Sequence, residues 1–131
     1  MSVKLLTRDE FRETVLLRDK NKCVLCPNDA VAVHHIIERK LFCNGGYFVD
    51  NGAALCEDCH WKAEMSLISC GEIRCRAGIF NLILPEGFDH GLCFDKWGNE
   101  FVDDKTRRGG PLYPQEKSMV DLLRKAGIHF I

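Results

Sequence analysis

Two Cys-x2-Cys pairs constrain this chain more than anything else in it: Cys23-Val24-Leu25-Cys26 and Cys56-Glu57-Asp58-Cys59, separated by 29 residues. Each pair sets two sulfurs on one tight turn, at a reach that suits half of a tetrahedral zinc site. A structural zinc ion held by all four cysteines is therefore expected. The chain carries eight cysteines in 131 residues, a count that also fits a secreted disulfide scaffold. Two features weigh against the scaffold. The start, Met1-Ser2-Val3-Lys4-Leu5-Leu6, meets Thr7, Arg8, Asp9 and Glu10 at once and lacks the apolar run of an export signal. The chain is also long enough to bury a core of its own. No apolar stretch approaches the ~18–20 residues of a membrane span, so a membrane partner is not expected. The formal charge of −1 excludes a protein that holds nucleic acid by bulk positive charge. Four thiolates and one Zn2+ would take that charge to −3.

Around the cysteine pairs the pattern is α+β. Thr7-Arg8-Asp9-Glu10 has the form of a capping box, and Phe11, Val15 and Leu16 follow at helical spacing, predicting a helix from Thr7 to Asp19. The β-branched run from Val31 to Ile37 predicts a strand. Cys43-Asn44-Gly45-Gly46 is a turn signal, with Tyr47-Phe48-Val49 as the return strand. A second helix is expected from Cys56 to Ser66. The order is thus a ββα unit stapled at its base. Farther on, Cys70 to Ala77 reads as a short helix ended by Gly78. Leu92-Cys93-Phe94 and Glu100-Phe101-Val102 flank a turn and read as a hairpin. Pro114 is expected to open a last helix with Met119, Val120, Leu122, Leu123 and Ala126 on its apolar face. Residues 1–68 read as the core and 69–131 as an extension packed on it, without a linker between them.

Inside the stapled unit stand His34, His35, Asn51 and His60. With Cys23-x2-Cys26 and Cys56-x2-Cys59 in register, and Asn51 nine positions before His60, the chain resembles the HNH endonuclease family over residues 8–66. The resemblance implies a ββα-metal fold and a metal-dependent cut of phosphodiester bonds in DNA, with RNA left open as a substrate. It assigns His34 and His60 to a catalytic divalent ion. It makes His35 the general base and Asn51 the residue that orients His35 by a hydrogen bond. The implied products are a 5′-phosphate and a 3′-hydroxyl. It also implies bacterial or phage origin, a cytoplasmic location in the bacterium or infected cell, and a homodimer or a phage or bacterial protein as partner.

The residues support a division of labour by themselves. On a regular strand His34 and His35 point to opposite faces, so they are poorly placed to share one ion. His60 follows a cysteine ligand directly, so zinc would fix the start of the helix that carries it. Many members of the family have Asp where this chain has His34. Imidazole is softer than carboxylate, which widens the choice of ion from Mg2+ toward Mn2+, Ni2+ or Zn2+. Glu64 lies one helical turn after His60 and is a further candidate ligand, the plainer expectation being a solvated glutamate. Singly, each of these residues has an ordinary reading: strand histidines, an Asn-Gly turn, an extra histidine by the zinc. The alternative for the whole is a zinc-stabilised nucleic-acid-binding or phage assembly module that does not catalyse.

Arg39, Lys40, Lys62, Arg107 and Arg108 are candidate phosphate contacts, against a background in which such residues are simply solvated. Trp61 and Trp97 are expected to pack rather than to stack on bases. Cys70, Cys75, His90 and Cys93 offer the residue types for a second zinc site at looser spacing, and Cys43 reads as a loop or core thiol.

Overall fold

The computed structural model describes residues 4–131; Met1, Ser2 and Val3, read above as free of an export signal, lie outside the described residues. The first helix, α1 (Arg8–Arg18), is the capping-box helix: Thr7 Oγ1 accepts from the Glu10 amide, and Glu10 accepts from the Thr7 amide. It buries Phe11 and Val15. Its last residue and its cap clamp the next sheet. Arg18 donates to the Val49 and Gly52 carbonyls, and Asp19 accepts from the Ala54 amide.

That sheet is a two-stranded antiparallel ribbon, β1 (Ala32–His35) and β2 (Gly52–Leu55), with His34 opposite Ala53 and His35 opposite Gly52. The expected return strand at Tyr47–Val49 is displaced: Val49–Asn51 forms a 3-10 turn and the strand follows it. A Cβ on Gly52 would lie 2.6 Å from the Phe11 ring and 2.7 Å from Val15, so α1 sits this close to the ribbon only because residue 52 has no side chain. All four residues of β2 are buried.

Helix α2 (Glu57–Glu64) is capped by Cys56, whose sulfur accepts from the Cys59 amide. Helix α3 (Cys70–Ala77) ends on Gly78, which adopts the left-handed φ of 72° that an αL cap requires. Its Cys70 and Ile73 join Ile36, Ile37, Leu55 and Ala63 in one core cluster, so α3 closes the unit from the far side. Among the described residues, no helix is long and apolar enough to cross a membrane.

The rest of the extension departs from the expected hairpin-plus-helix. Phe94 bridges Glu100, but β3 (Glu100–Phe101) takes its main partner from β4 (Thr106–Arg108), and β5 (His129–Phe130) adds to β4 in parallel. The last helix, α4 (Lys117–Lys125), starts three residues after Pro114. The amides of Gln115 and Glu116 both return to the Leu112 carbonyl, so Pro114 is spent in that turn. Met119, Val120 and Leu123 of α4 are buried with Leu112 and Ile128, whereas Leu122, assigned to the same apolar face, is exposed.

Arg107 is the main correction in this region. Expected to meet phosphate, it is 0% exposed and stacks 3.5 Å from the Phe101 ring centre. Its guanidinium donates to Ser66 Oγ and to the carbonyls of Ser66, Asp103, Asp104 and Thr106. Every one of its nitrogens is occupied, and none is left for a ligand.

Candidate active site and metal centres

The sulfurs of Cys23, Cys26, Cys56 and Cys59 all lie within 4.8 Å of one another. Tetrahedral zinc with Zn–S near 2.3 Å asks for S···S of about 3.8 Å, and the Cys26–Cys56 separation is 3.5 Å. Local backbone aims them. The Cys23 amide donates to the Asn28 carbonyl, closing the first turn, and the Leu25 amide points at Cys23 Sγ. In the second pair the Cys59 amide, donated to Cys56, draws that thiol down to about 7, toward the thiolate that binds metal. Helix α3 reaches this end too, where Arg76 donates to the Leu25 carbonyl. The four sulfurs have the chemistry and the spacing of a zinc site.

A second cluster lies in the same unit: ligand atoms of His34, His60 and Glu64 also fall within 4.8 Å of one another. His34 is 1% exposed, and both of its ring nitrogens are buried without a hydrogen-bond partner. Burial, then the charge of Lys96, holds its pKa well below the usual histidine range, so the ring is neutral. A neutral imidazole with no partner for its lone pair is costly unless something binds there. The His60 ring sits edge-on to it, 5.2 Å between centres, and His60 Nε2 is 3.1 Å from Glu64 Oε1. Burial would raise the Glu64 carboxyl, but the His60 hydrogen bond and Lys96 outweigh it and hold it at about 2. Glu64 is thus a half-buried carboxylate inside the cluster, not a solvated surface glutamate. Two imidazoles and one carboxylate fit a divalent transition ion.

The alternation of β1 puts His35 on the other face. It stacks on Phe11 at 4.6 Å and meets the edge of Tyr47 at 4.9 Å. Its Nε2 is enclosed without a partner. Burial, then the positive charge of Arg39, lowers its pKa to about 4. His35 forms part of the floor of a cleft of about 480 Å³ walled by Arg8 and Arg12 of α1 and by Arg39 and Tyr47. Arg39 donates to the Tyr47 hydroxyl at 3.1 Å. Glu38 and Arg39 are neighbours that serve the two sides: Glu38 faces Lys96 at 3.3 Å, and Arg39 lines the His35 cleft.

Asn51 does not hold His35. Its Oδ1 accepts from the Ile37 amide, and its Nδ2 donates to the carbonyls of Ile37 and Gly46. It is 1% exposed and acts through backbone, locking the chain just after the two histidines to the loop that precedes β2.

The remaining candidates divide. Lys40 is exposed and paired with Glu116 at 2.9 Å, Arg108 lies 3.8 Å from Glu100, and Lys62 is exposed on α2. Trp61 is 55% exposed, against expectation, whereas Trp97 packs and donates Nε1–H to the Glu64 carbonyl. Cys70, Cys75, His90 and Cys93 are not gathered into a ligand cluster among the described residues. Cys70 is buried, its S–H reaches the Ile36 carbonyl, and burial pushes its pKa up to about 12. Cys43 is an exposed loop thiol. Sequence reasoning missed Arg8 and Arg12, which look like solvated residues of an amphipathic helix, and Lys96, which carries no motif.

Comparison with curated proteins and with solved structures found no match to the chain. A family model, HNH endonuclease, matches residues 19–64, about a third of the chain. That span runs from Asp19, which clamps β2, through both cysteine pairs and the His34–His60–Glu64 cluster to the end of α2. Over residues 19–64, the stretch that holds both ligand clusters, the chain is similar to the HNH endonuclease family.

Proposed function

We propose that the chain is a metal-dependent endonuclease that hydrolyses phosphodiester bonds in DNA. The observation that carries this reading is the pair of adjacent histidines with opposite environments. His34 has two buried, unpartnered nitrogens within a ligand cluster, and His35 opens onto a cleft walled by arginines. The four cysteines would hold structural Zn2+, and His34 and His60, with Glu64, the catalytic divalent ion: Mg2+, Mn2+, Ni2+ or Zn2+. When bound, the divalent ion supplies positive charge to a phosphate and its leaving oxygen.

The chain's own residues do the rest. His35 is the general base. Its depressed pKa keeps it neutral and able to accept a proton from water at physiological pH. Stacking on Phe11 and contact with Tyr47 fix the plane of its ring. Asn51 positions the pair of histidines through the backbone of Ile37. Arg8, Arg12 and Arg39 draw the phosphate backbone along the cleft, a local grip that needs no net positive charge. Residues 1–68 form the nuclease core and 69–131 an extension that completes it.

The test is nicking of supercoiled plasmid by wild type and His35→Ala with Mg2+, Mn2+ or Ni2+. Wild type should cut with at least one ion, and His35→Ala should be slower by about 10²–10⁴-fold, the usual contribution of a general base. Wild type silent with every ion would defeat the enzyme reading. Cutting by His35→Ala at the wild-type rate would defeat the base assignment.

A further inference from the structure

An ammonium group from the extension sits inside the second ligand cluster. Lys96 belongs to the tight turn Asp95–Asn99, closed by the Asp95 amide on the Asn99 carbonyl and by the buried Asp95 carboxylate, which accepts from the Trp97 and Asn99 amides. The turn is pinned to the core twice. The Glu38 amide donates to the Lys96 carbonyl at 2.9 Å, and the Trp97 indole donates to the Glu64 carbonyl at 2.8 Å. The Lys96 side chain is thereby drawn inward until it is 11% exposed. Its Nζ lies 2.8 and 2.7 Å from the two oxygens of Glu64 and 3.3 Å from Glu38. Glu64 Oε1 is also 3.1 Å from His60 Nε2, so one carboxylate serves both the ammonium and the histidine cluster.

Two carboxylates this enclosed require a positive partner. Lys96 provides it, but it does so on the oxygens that a divalent ion would use. A cation held by His34, His60 and Glu64 must therefore share Glu64 with the ammonium, against a repulsion that low solvent access leaves poorly screened. We propose that Lys96 is the resident counter-cation of this site. It neutralises Glu38 and Glu64 and competes with the divalent ion for Glu64, so the extension sets how tightly the core holds its exchangeable metal. This inference rests on the reading of His34, His60 and Glu64 as a divalent-metal site. Lys96 is a positioning residue for that site, with no contact of its own to the ion.

The test is calorimetric titration of Mn2+ into zinc-loaded protein, with zinc content and circular dichroism confirming each fold. Lys96→Met should bind Mn2+ about tenfold or more tightly than wild type, since a full positive charge leaves the ligand carboxylate. Lys96→Arg, which keeps the charge, should stay within a few-fold of wild type. In a Glu64→Gln background, Lys96→Met should lose most of its gain. If Lys96→Met loses zinc, Lys96→Gln decides in its place. Equal or weaker binding in a folded, uncharged variant overturns the proposal, as does equal tightening by Lys96→Arg. If no variant takes Mn2+, the metal-site reading falls and this inference with it.

Discussion

The two halves of the chain are braced by different chemistry. In residues 4–68 the cross-links are four sulfurs gathered from two distant turns, around which an amide at Asn51 and a clamp at Arg18–Asp19 hold the ribbon. In residues 69–131 the brace is a buried guanidinium, Arg107, which donates to the 103–106 loop and to Ser66 of the first half, and a buried carboxylate, Asp95, satisfied by its own turn. The first brace needs an ion and the second contains its own charges. The second half lends charges to the first at Lys96, between Glu38 and Glu64, and at Arg107 on Ser66. On the proposed reading, a core stapled by metal aims catalytic groups with little hydrophobic mass, and the extension tunes what the staple alone leaves open.

The sharpest way to break this contrast is to remove one sulfur. Cys23→Ser should lose zinc and unfold the core, because a structural zinc contributes roughly 10–16 kcal/mol of apparent binding energy to small domains. Metal analysis and far-ultraviolet circular dichroism read the loss. Arg107→Met should instead destabilise the chain by about 3–5 kcal/mol in urea unfolding while zinc stays bound, since four carbonyls and Ser66 lose their donor. Arg107→Lys should recover little, because one ammonium cannot reach that spread of acceptors. Loss of zinc in Arg107→Met would show that the two braces are one.

What could be read from sequence divides along the same line. The cysteine pairs, the capping box and the His34, His35 and His60 positions are coded by spacing, and spacing survives without a fold. Strand β2 was hidden because Gly52-Ala53-Ala54 has weak strand preference, and its smallness answers Phe11 and Val15 far away in sequence. Arg107 looked like its exposed neighbour Arg108 because an arginine's fate depends on acceptors supplied by Ser66 and the 103–106 loop. Asn51 was placed correctly in the chain yet assigned the wrong partner: the register puts its amide against Ile37 instead of His35.

Smaller effects sharpen the core side. Asn51→Ala should cost about 1–3 kcal/mol, leaving the Ile37 and Gly46 backbone groups without their partner. Plasmid cleavage should fall further than stability accounts for, and activity unchanged in the folded variant would deny Asn51 a positioning role. The mildest expectation concerns pH. A base lowered to about 4 stays deprotonated far below neutrality, and is lost only as pH falls through that value. At saturating metal, cleavage at pH 5.5 should keep most of its rate at pH 7.5. An ordinary histidine, with a pKa of ~6.5, would lose about nine-tenths of it.

The central claim is that the core carries two metal sites of different character, one set in sulfur and one in His34, His60 and Glu64. Counting metals per chain by elemental analysis, after equilibrium dialysis against Mn2+ and subtraction of the manganese in the dialysate, tests it most directly. The account predicts one zinc per chain in both wild type and His34→Ala, with manganese on wild type alone. Manganese held equally by His34→Ala, or zinc lost together with the histidine, would contradict it.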